Sequence, residues 1–494
     1  MKQLCGGIIA GLSLLTLNAA TARELTANER GDIIAAVDSN AQEMITTAKQ
    51  IWEWAEVGFR ETQSSQALQQ QLQRAQFTIR TGVADMPTAF VASFRHADGN
   101  KPGPVIGILA EFDALPGQSQ AVSAVRAPFV GQTAGHACGH NLLGAGAVGA
   151  ALALKQWMLH ENINGEIRVY GAPAEEGGSG KVYMVRAGLF NDVDVVLHWH
   201  PNDANSASQS RTLANMSGKF RFHGIAAHAA RAPEKGRSVL EAVEALDFMV
   251  NAMRQHIPQD ARIHYIITNG GASPNVVPDF AEVYYYVRHV DPRVVRDIME
   301  RVQLAAKGAA LGTGTTVDFE LTGAVYSLLP NNTLGKLVDK ELHNAPGIVL
   351  DDSAKRLAVQ LLSSLSPNDK NTSVEKDLAA VQTIEPYAFD SLDYVSTDVG
   401  DVSWVVPTAG IRTATWVHGT PAHSWQATAA SGAALGFQGM LMAAKALALS
   451  GAALFRNPQL IQKARDEFSA RRGDKFNYEA LLGDRPPALD YRTR

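Results

Sequence analysis

Gly135-His136-Ala137-Cys138-Gly139-His140-Asn141 is the stretch on which the reading of this chain turns. It leads out of a loop closed by Gly131 into a small-residue apolar run over 142–158, whose pattern predicts a buried helix. Cys138 and His140 then stand at the helix entry, where backbone N–H groups and the helix dipole favour a thiolate. A thiolate and an imidazole two residues apart supply half of a transition-metal site. The remaining donors must come from elsewhere, and the chain offers Glu175-Glu176, His198-Trp199-His200 and His423. Gly144, Gly146 and Gly149 also fit G-x-G-x-x-G, but no strand directly precedes them and the cysteine–histidine motif occupies the turn. They read as small residues that let a buried helix pack closely.

The 494 residues suggest two to three domains with ample length for a large core. An apolar content of 46% against 19% charged residues describes a soluble globular protein. A net charge of −5 gives no electrostatic reason to expect nucleic acid or an acidic membrane as partner. Residues 1–22 have the form of a signal peptide: Lys2, an apolar stretch over 6–17, and Ala20-Thr21-Ala22 as an A-x-A-like cleavage site. The expectation is export, with the periplasm as destination. Past residue 22 no segment reads as long and apolar enough to span a bilayer. Of the two cysteines, Cys5 leaves with the signal, so Cys138 has no internal disulfide partner and metal ligation is the use expected of it.

Helical spacing runs over 29–54 and 62–75, and strands are expected at 90–94, 105–109, 167–170 and 193–197. Strands alternating with helices, and polar clusters at strand ends, indicate an α/β sheet that gathers ligands at its carboxyl edge. Between 210 and 325 the order becomes βαββαβ, which suggests an inserted ferredoxin-like domain. The expected organisation is a catalytic domain in two parts, 23–209 and 326–472, around that insertion. Within the second part, a polar loop is expected at 366–376, a strand at 411–416 and helices at 428–449 and 457–470. A polar tail, 473–494, is expected to be poorly ordered from Arg471 onward.

At that carboxyl edge Cys138 could bridge two cations through sulfur, with His140, Glu176, His200 and His423 as terminal ligands. His136, His198 and His418 compete for ligand roles. A thiolate, neutral imidazoles and a carboxylate suit Zn²⁺ or Mn²⁺ better than Ca²⁺ or Mg²⁺. Two such cations activate a water and polarise a carbonyl together. Glu175 and Glu176 are adjacent, so in an extended segment they point opposite ways, one to ligate and the other to take a proton.

Several further stretches belong with these: Glu111-Phe112-Asp113-Ala114-Leu115, Glu175-Glu176-Gly177-Gly178-Ser179-Gly180-Lys181, Arg211-Thr212-Leu213-Ala214-Asn215, Gly224-Ile225-Ala226-Ala227-His228, Ser273-Pro274-Asn275, Ser396-Thr397-Asp398-Val399-Gly400-Asp401 and Gly419-Thr420-Pro421-Ala422-His423-Ser424. Together they make the chain resemble the dinuclear metallopeptidase family of aminoacylases, glutamate carboxypeptidases and auxin-conjugate amidohydrolases. The resemblance implies a cation-bridging Cys138, ligands His140, Glu176, His200 and His423, Glu175 as general base, and Asp113 buttressing a ligand. For the third ligand, His200 is preferred to His198 because relatives place it directly before proline. The inserted domain is then expected to carry substrate contacts and a homodimer interface. His228 would reach into the partner's site as an oxyanion donor. Arg288 suits a substrate carboxylate, and Asn275 either donates to the scissile oxygen or caps its turn. The activity implied is hydrolysis of an N-acyl or N-aroyl amino acid, with aminobenzoyl-glutamate-like compounds favoured and a sister subunit as a further partner. Its rivals are hydrolysis of other acyl conjugates or dipeptides, and an inactive binding or scaffold protein on the same fold.

Overall fold

The computed structural model describes residues 23–97, 103–365 and 373–492. The expected signal segment and residues 366–372 of the expected polar loop lie outside them. From Ser373 the chain is not loop: its side chain caps a short helix, Val374–Ala380.

Helix α1 (Ala27–Trp54) opens on a capping box between Thr26 and Glu29. Strands β1 (Thr78–Thr81), β2 (Phe90–His96) and β3 (Val105–Glu111) follow, then helix α2 (His140–His160) and strands β4 (Gly165–Ala172) and β5 (Val195–Asn202). Much later β10 (Thr408–Ala414) returns, and the six-stranded order is β1-β2-β4-β3-β5-β10. β3 runs parallel to both β4 and β5, and β10 runs parallel to β5, whereas β2 is antiparallel to β4. β3 is buried almost throughout, as a strand covered on both faces must be.

Helix α2 and a late helix, Ala434–Arg456, fill one side of that sheet. By length and composition both could cross a membrane, contrary to the expectation that nothing past residue 22 could, but 83% of each apolar window is buried inside the protein. They are core helices. The glycines of α2 serve close packing: Gly146 lies on the Trp199 ring and Gly149 on Met44. The single late helix expected over 428–449 is two, Trp425–Ser431 and Ala434–Arg456, with Gly432 seated against the Trp52 ring at the break.

The inserted unit is built from β6 (Ala214–His223), α3 (Val239–Met253), β7 (Arg262–Asn269), β8 (Phe280–His289), α4 (Pro292–Thr313) and β9 (Thr316–Val325). Its antiparallel sheet has the order β7-β8-β6-β9. Phe220, Phe222, Val283, Tyr285 and Val287 bury one face of it together with Leu246 and Val302 of the two helices. The opposite face presents Asn215, Lys219, Tyr284, Tyr286 and Arg288, so the unit is amphipathic in two layers.

The tail is ordered, against its composition. Phe476 packs on Trp404 and Tyr326, the Tyr478 hydroxyl donates to Asp401 (2.6 Å), and Tyr491 meets Phe59 edge-on. A few widely spaced aromatic side chains anchor it, a pattern that average polarity conceals.

The seam between β5 and β10 carries one tight contact, where Gly410 pairs with His198 and a side chain there would strike the buried imidazole. Gly410→Ala is therefore expected to destabilise the protein by about 1–3 kcal/mol, the usual range for overpacking. Urea unfolding at fixed metal content measures this, and an unchanged midpoint would show that His198 can move aside.

Candidate metal centre and active site

The first two ligating groups meet because of one backbone turn. Gly139 has φ +75°, and a Cβ there would lie 2.8 Å from the Pro201 ring. That left-handed residue brings Cys138 against the end of β5, where His200 directly precedes Pro201. Cys138 Sγ and His200 Nε2 are 3.5 Å apart. The His200 Nδ1–H donates to the Pro201 carbonyl (2.7 Å), which leaves Nε2 as the ligating atom. His423, itself at φ +62°, donates its backbone N–H to the Ala137 carbonyl (3.0 Å) and points Nε2 to within 3.1 Å of Glu176 Oε1.

Two metal-competent groups result, Cys138–His140–His200 and Cys138–Glu176–His423, each with its ligating atoms within 4.8 Å of one another. They share the sulfur. A third group, Glu111–His140–Glu175, adjoins them. His140 Nε2, Glu176 Oε1 and Glu111 Oε2 are buried and make no hydrogen bond, although His140 Nε2 and Glu111 Oε2 lie 3.2 Å apart. Buried polar atoms that converge without bonding one another fit cation ligation, and the sulfur, nitrogen and oxygen donors suit a transition metal.

The helix entry does not by itself make Cys138 a thiolate. Burial pushes its thiol up, and the charge of Glu176 adds to that. A bound cation is what would deprotonate it. Asp113 behaves in the opposite sense: burial raises it, but His140 and the Glu176 amide outweigh burial and hold it at about 2. Its Oδ1 accepts from His140 Nδ1 (2.9 Å) and its Oδ2 from the Glu176 N–H (2.9 Å), so one carboxylate orients two ligating residues.

Glu175 and Glu176 are not in an extended segment. Ala174 (φ +56°), Glu176 (ψ +66°) and Gly177 (φ +93°) form a tight, partly left-handed turn. The turn aims Glu176 at His423 and Glu175 at the Glu111–His140 pair. Desolvation, then the charges of Glu176 and Glu111, raise Glu175 well above the ordinary carboxylate range. Glu61 accepts the Ala174 N–H (2.9 Å) beneath the turn, and burial with the charge of Asp113 pushes this carboxyl to about 8. From the tail, the Tyr491 hydroxyl donates to the Glu176 carbonyl (3.1 Å) and Arg492 donates to the same oxygen.

Behind Glu175 lies an ion triad that sequence reasoning leaves without a role. Lys181, fully buried, touches Glu111 Oε1 and Asp398 Oδ1 at 2.6 Å each. Burial disfavours its charge, but the two carboxylates hold it protonated. Glu111, Lys181 and Asp398 all sit in motif stretches, yet their pairing spans most of the chain and has no local signal.

Of the competing histidines, none belongs to these groups. His136 bonds the Ile51 carbonyl (3.0 Å) and burial drops it to about 3, His198 packs on Gly410, and His418 lies 3.5 Å from Asp203. His228 and Asn275 stand together on two paired loops of the inserted unit, with His228 bridged to Val276 and Ala229 N–H donating to the Asn275 carbonyl (3.0 Å). Arg288, one residue before the end of β8, donates to Ser396 Oγ (3.1 Å) and lies over Tyr286.

The tail contact has a measurable consequence. Tyr491→Phe should weaken the more loosely held cation by about tenfold, the low end for loss of an outer hydrogen bond to a metal site. Competition with a chromophoric chelator reads this, and an unchanged affinity would reduce the tail to packing.

The family model for peptidase family M20/M25/M40 matches residues 107–355. One of the subunits of the p-aminobenzoyl-glutamate hydrolase of Escherichia coli is 39% identical over 453 residues, covering 87% of this chain and 93% of that protein. The Xaa-Arg dipeptidase of Mus musculus is 29% identical over 460 residues, covering 90% and 92%. Among solved structures, an aminobenzoyl-glutamate utilization protein from Klebsiella pneumoniae superposes with TM-score 0.58 at 18% identity, covering 85% of this chain and 96% of that one. A dinuclear metal binding peptidase of Bacillus subtilis superposes with TM-score 0.52 at 18% identity, covering 83% and 98%. With the family model spanning half of its residues and a 39% identical relative matched over nearly its whole length, the chain belongs to peptidase family M20/M25/M40.

Proposed function

We propose that the chain hydrolyses the amide bond of N-acyl or N-aroyl amino acids, with p-aminobenzoyl-glutamate-like compounds as the favoured substrate. The observation that carries this reading is the pair of donor groups sharing Cys138 Sγ, with Glu175 beside them. His140 and His200 would hold one divalent cation and Glu176 and His423 the other, and Zn²⁺ or Mn²⁺ suits the donors. When bound, the two cations polarise the scissile carbonyl and acidify the attacking water. Glu175 takes the proton from that water and returns it to the departing amine, a role that matches a carboxylate whose hold on a proton is strengthened by burial and the charge of Glu176. Arg288 receives the substrate carboxylate, and Asn275 donates to the scissile oxygen.

The reading includes a homodimer formed through the inserted unit. β7 is an edge strand with Ile266 and Ile267 exposed, and Phe248 and Met249 of α3 add further apolar surface. His228 Nδ1 accepts the N–H groups of Ala230 and Arg231 (3.2 Å each), so its Nε2 carries the proton and faces outward as a donor. We assign that donor to the partner's oxyanion. A separate sister chain is a further partner, in keeping with the Escherichia coli hydrolase, two of whose subunits are relatives of this chain. Export after cleavage near residue 22, to the periplasm, completes the proposal.

Metal analysis of the purified chain and a colorimetric assay for released aminobenzoate test the reading together. A metal-loaded chain that cleaves no N-acyl amino acid would favour the scaffold alternative. Glu175→Gln should retain both cations while turnover falls at least ~10²-fold, the usual scale for a general base. Near-normal turnover would move the role to another group. The dimer has its own test, in which Glu175→Ala and His228→Ala chains, each inactive alone, are mixed in equal amounts. Random reassortment should restore about a quarter of wild-type activity, because half the dimers are mixed and each mixed dimer has one complete site. No recovery, with mixed dimers verified by mass spectrometry, would show that His228 does not act in trans.

A further inference from the structure

The polar face of the inserted sheet holds a cationic pocket. Arg262 of β7 stands directly across from Arg288 of β8, and His264 directly across from Tyr286. Asn215 of β6 is the neighbour of Arg288 on its other side. Opposed side chains in an antiparallel pair share a face, and like charges placed there destabilise the sheet. Leu213 and Tyr394 close the remaining walls of a cavity of about 520 Å³.

Among the described residues no carboxylate forms an ion pair with either guanidinium. Arg262 donates to the backbone carbonyls of Gln259 and Ala261 (3.0 Å each), and Arg288 to the neutral Ser396 hydroxyl. Asn215, paired with Arg288 on the neighbouring strand, has its Oδ1 buried without a hydrogen-bond partner. Burial, then Arg288, Arg254 and Arg262, depress His264, and a bound anion would reverse the contribution of the arginines. The pocket is linked to the catalytic groups through Arg288, which donates to Ser396. Ser396 lies two residues before Asp398, which grips Lys181, which in turn pairs with Glu111 beside His140.

We propose that this pocket binds a dianionic leaving group, an acidic amino acid, with Arg288 taking one carboxylate and Arg262 with His264 taking the side-chain carboxylate. The inference rests on the amidohydrolase reading and deepens it by assigning Arg262 and His264 as the residues that select an acidic leaving group. Every N-acyl amino acid brings one carboxylate, enough for one arginine. A second guanidinium in register with the first, with an imidazole beside it, calls for a second anion. A basic side chain would meet like charge here, so the same residues also exclude substrates ending in arginine or lysine.

The experiment compares kcat/KM for p-aminobenzoyl-glutamate and p-aminobenzoyl-glutamine on the same metal-loaded preparation. The glutamate conjugate should be preferred by ten- to a hundredfold, the scale of one charge-assisted hydrogen bond. In Arg262→Leu that ratio should fall toward one, and in His264→Gln it should fall part of the way. Because the ratio is taken within one sample, loss of folded protein cancels. A ratio near one in the parent chain, or one unchanged by Arg262→Leu, overturns the proposal while leaving the amidohydrolase reading intact. If no conjugate is cleaved, calorimetric binding of free L-glutamate against L-glutamine to the full chain still decides. Selective glutamate binding that Arg262→Leu abolishes supports the pocket, and equal binding of the two refutes it.

Discussion

One sulfur atom, Cys138 Sγ, belongs to both groups of donors that could hold a cation, and the rest of the catalytic domain is arranged around that shared position. Cys138 belongs to both donor groups, so neither site can be displaced without disturbing the other. The surroundings are electrostatically lopsided. Glu111, Asp113, Glu175, Glu176 and Asp398 crowd the centre, and among the described residues Lys181 is the permanent positive charge that pairs with two of them. Burying that many carboxylates without counter-charge is costly. Lys181 offsets part of the cost on one side, and divalent cations offset the remainder on the other. Burial first, and then the same crowding of negative charge, raises both the Cys138 thiol and the Glu175 carboxyl above their ordinary ranges.

What residue order reveals is whatever has a local signature. The Cys138–His140 turn, the buried glycine-bearing helix, the strand alternation and the βαββαβ insertion all announce themselves within a few residues. Gly139 has to be a glycine, and Pro201 after His200 fixes where that turn docks. What stays hidden has the opposite character. Lys181 reaches Asp398 across 217 positions, and nothing near either residue predicts it. Adjacency alone predicts an extended Glu175-Glu176 pair. Unusual backbone angles at Ala174, Glu176 and Gly177 shape it instead, held by Glu61 below and Tyr491 above. The tail is concealed for a related reason: its order comes from Phe476, Tyr478 and Tyr491, whose partners lie far away in sequence.

The inserted sheet divides labour between its two faces. Toward α3 and α4 it is an ordinary apolar core, built from its own strands and helices. The other face gathers arginine, histidine and tyrosine in cross-strand register, an arrangement that folding alone would not select. On the proposed reading the chemistry is split between two scaffolds: the mixed sheet positions the candidate metal donors, and the antiparallel one carries the groups assigned to substrate recognition. Arg288 reaches Ser396 by side-chain contact, and Ser396 lies two residues before Asp398, so the two scaffolds touch close in sequence to the buried ion triad.

The pairing of β5 with β10 sets the order in which the molecule can assemble. Val196 meets Thr408 only after a whole inserted unit has been synthesised between them, and His423 is carried in on the far side of that late strand. Closing a loop of about 200 residues before any compensating contact forms is entropically unfavourable, and parallel pairings of this kind are slow. Cys138, His140 and His200 are all available before β10 docks, whereas the Cys138–Glu176–His423 group is not. The two donor groups therefore become complete at different stages of assembly: the second needs the late strand and His423 in place, and the first does not.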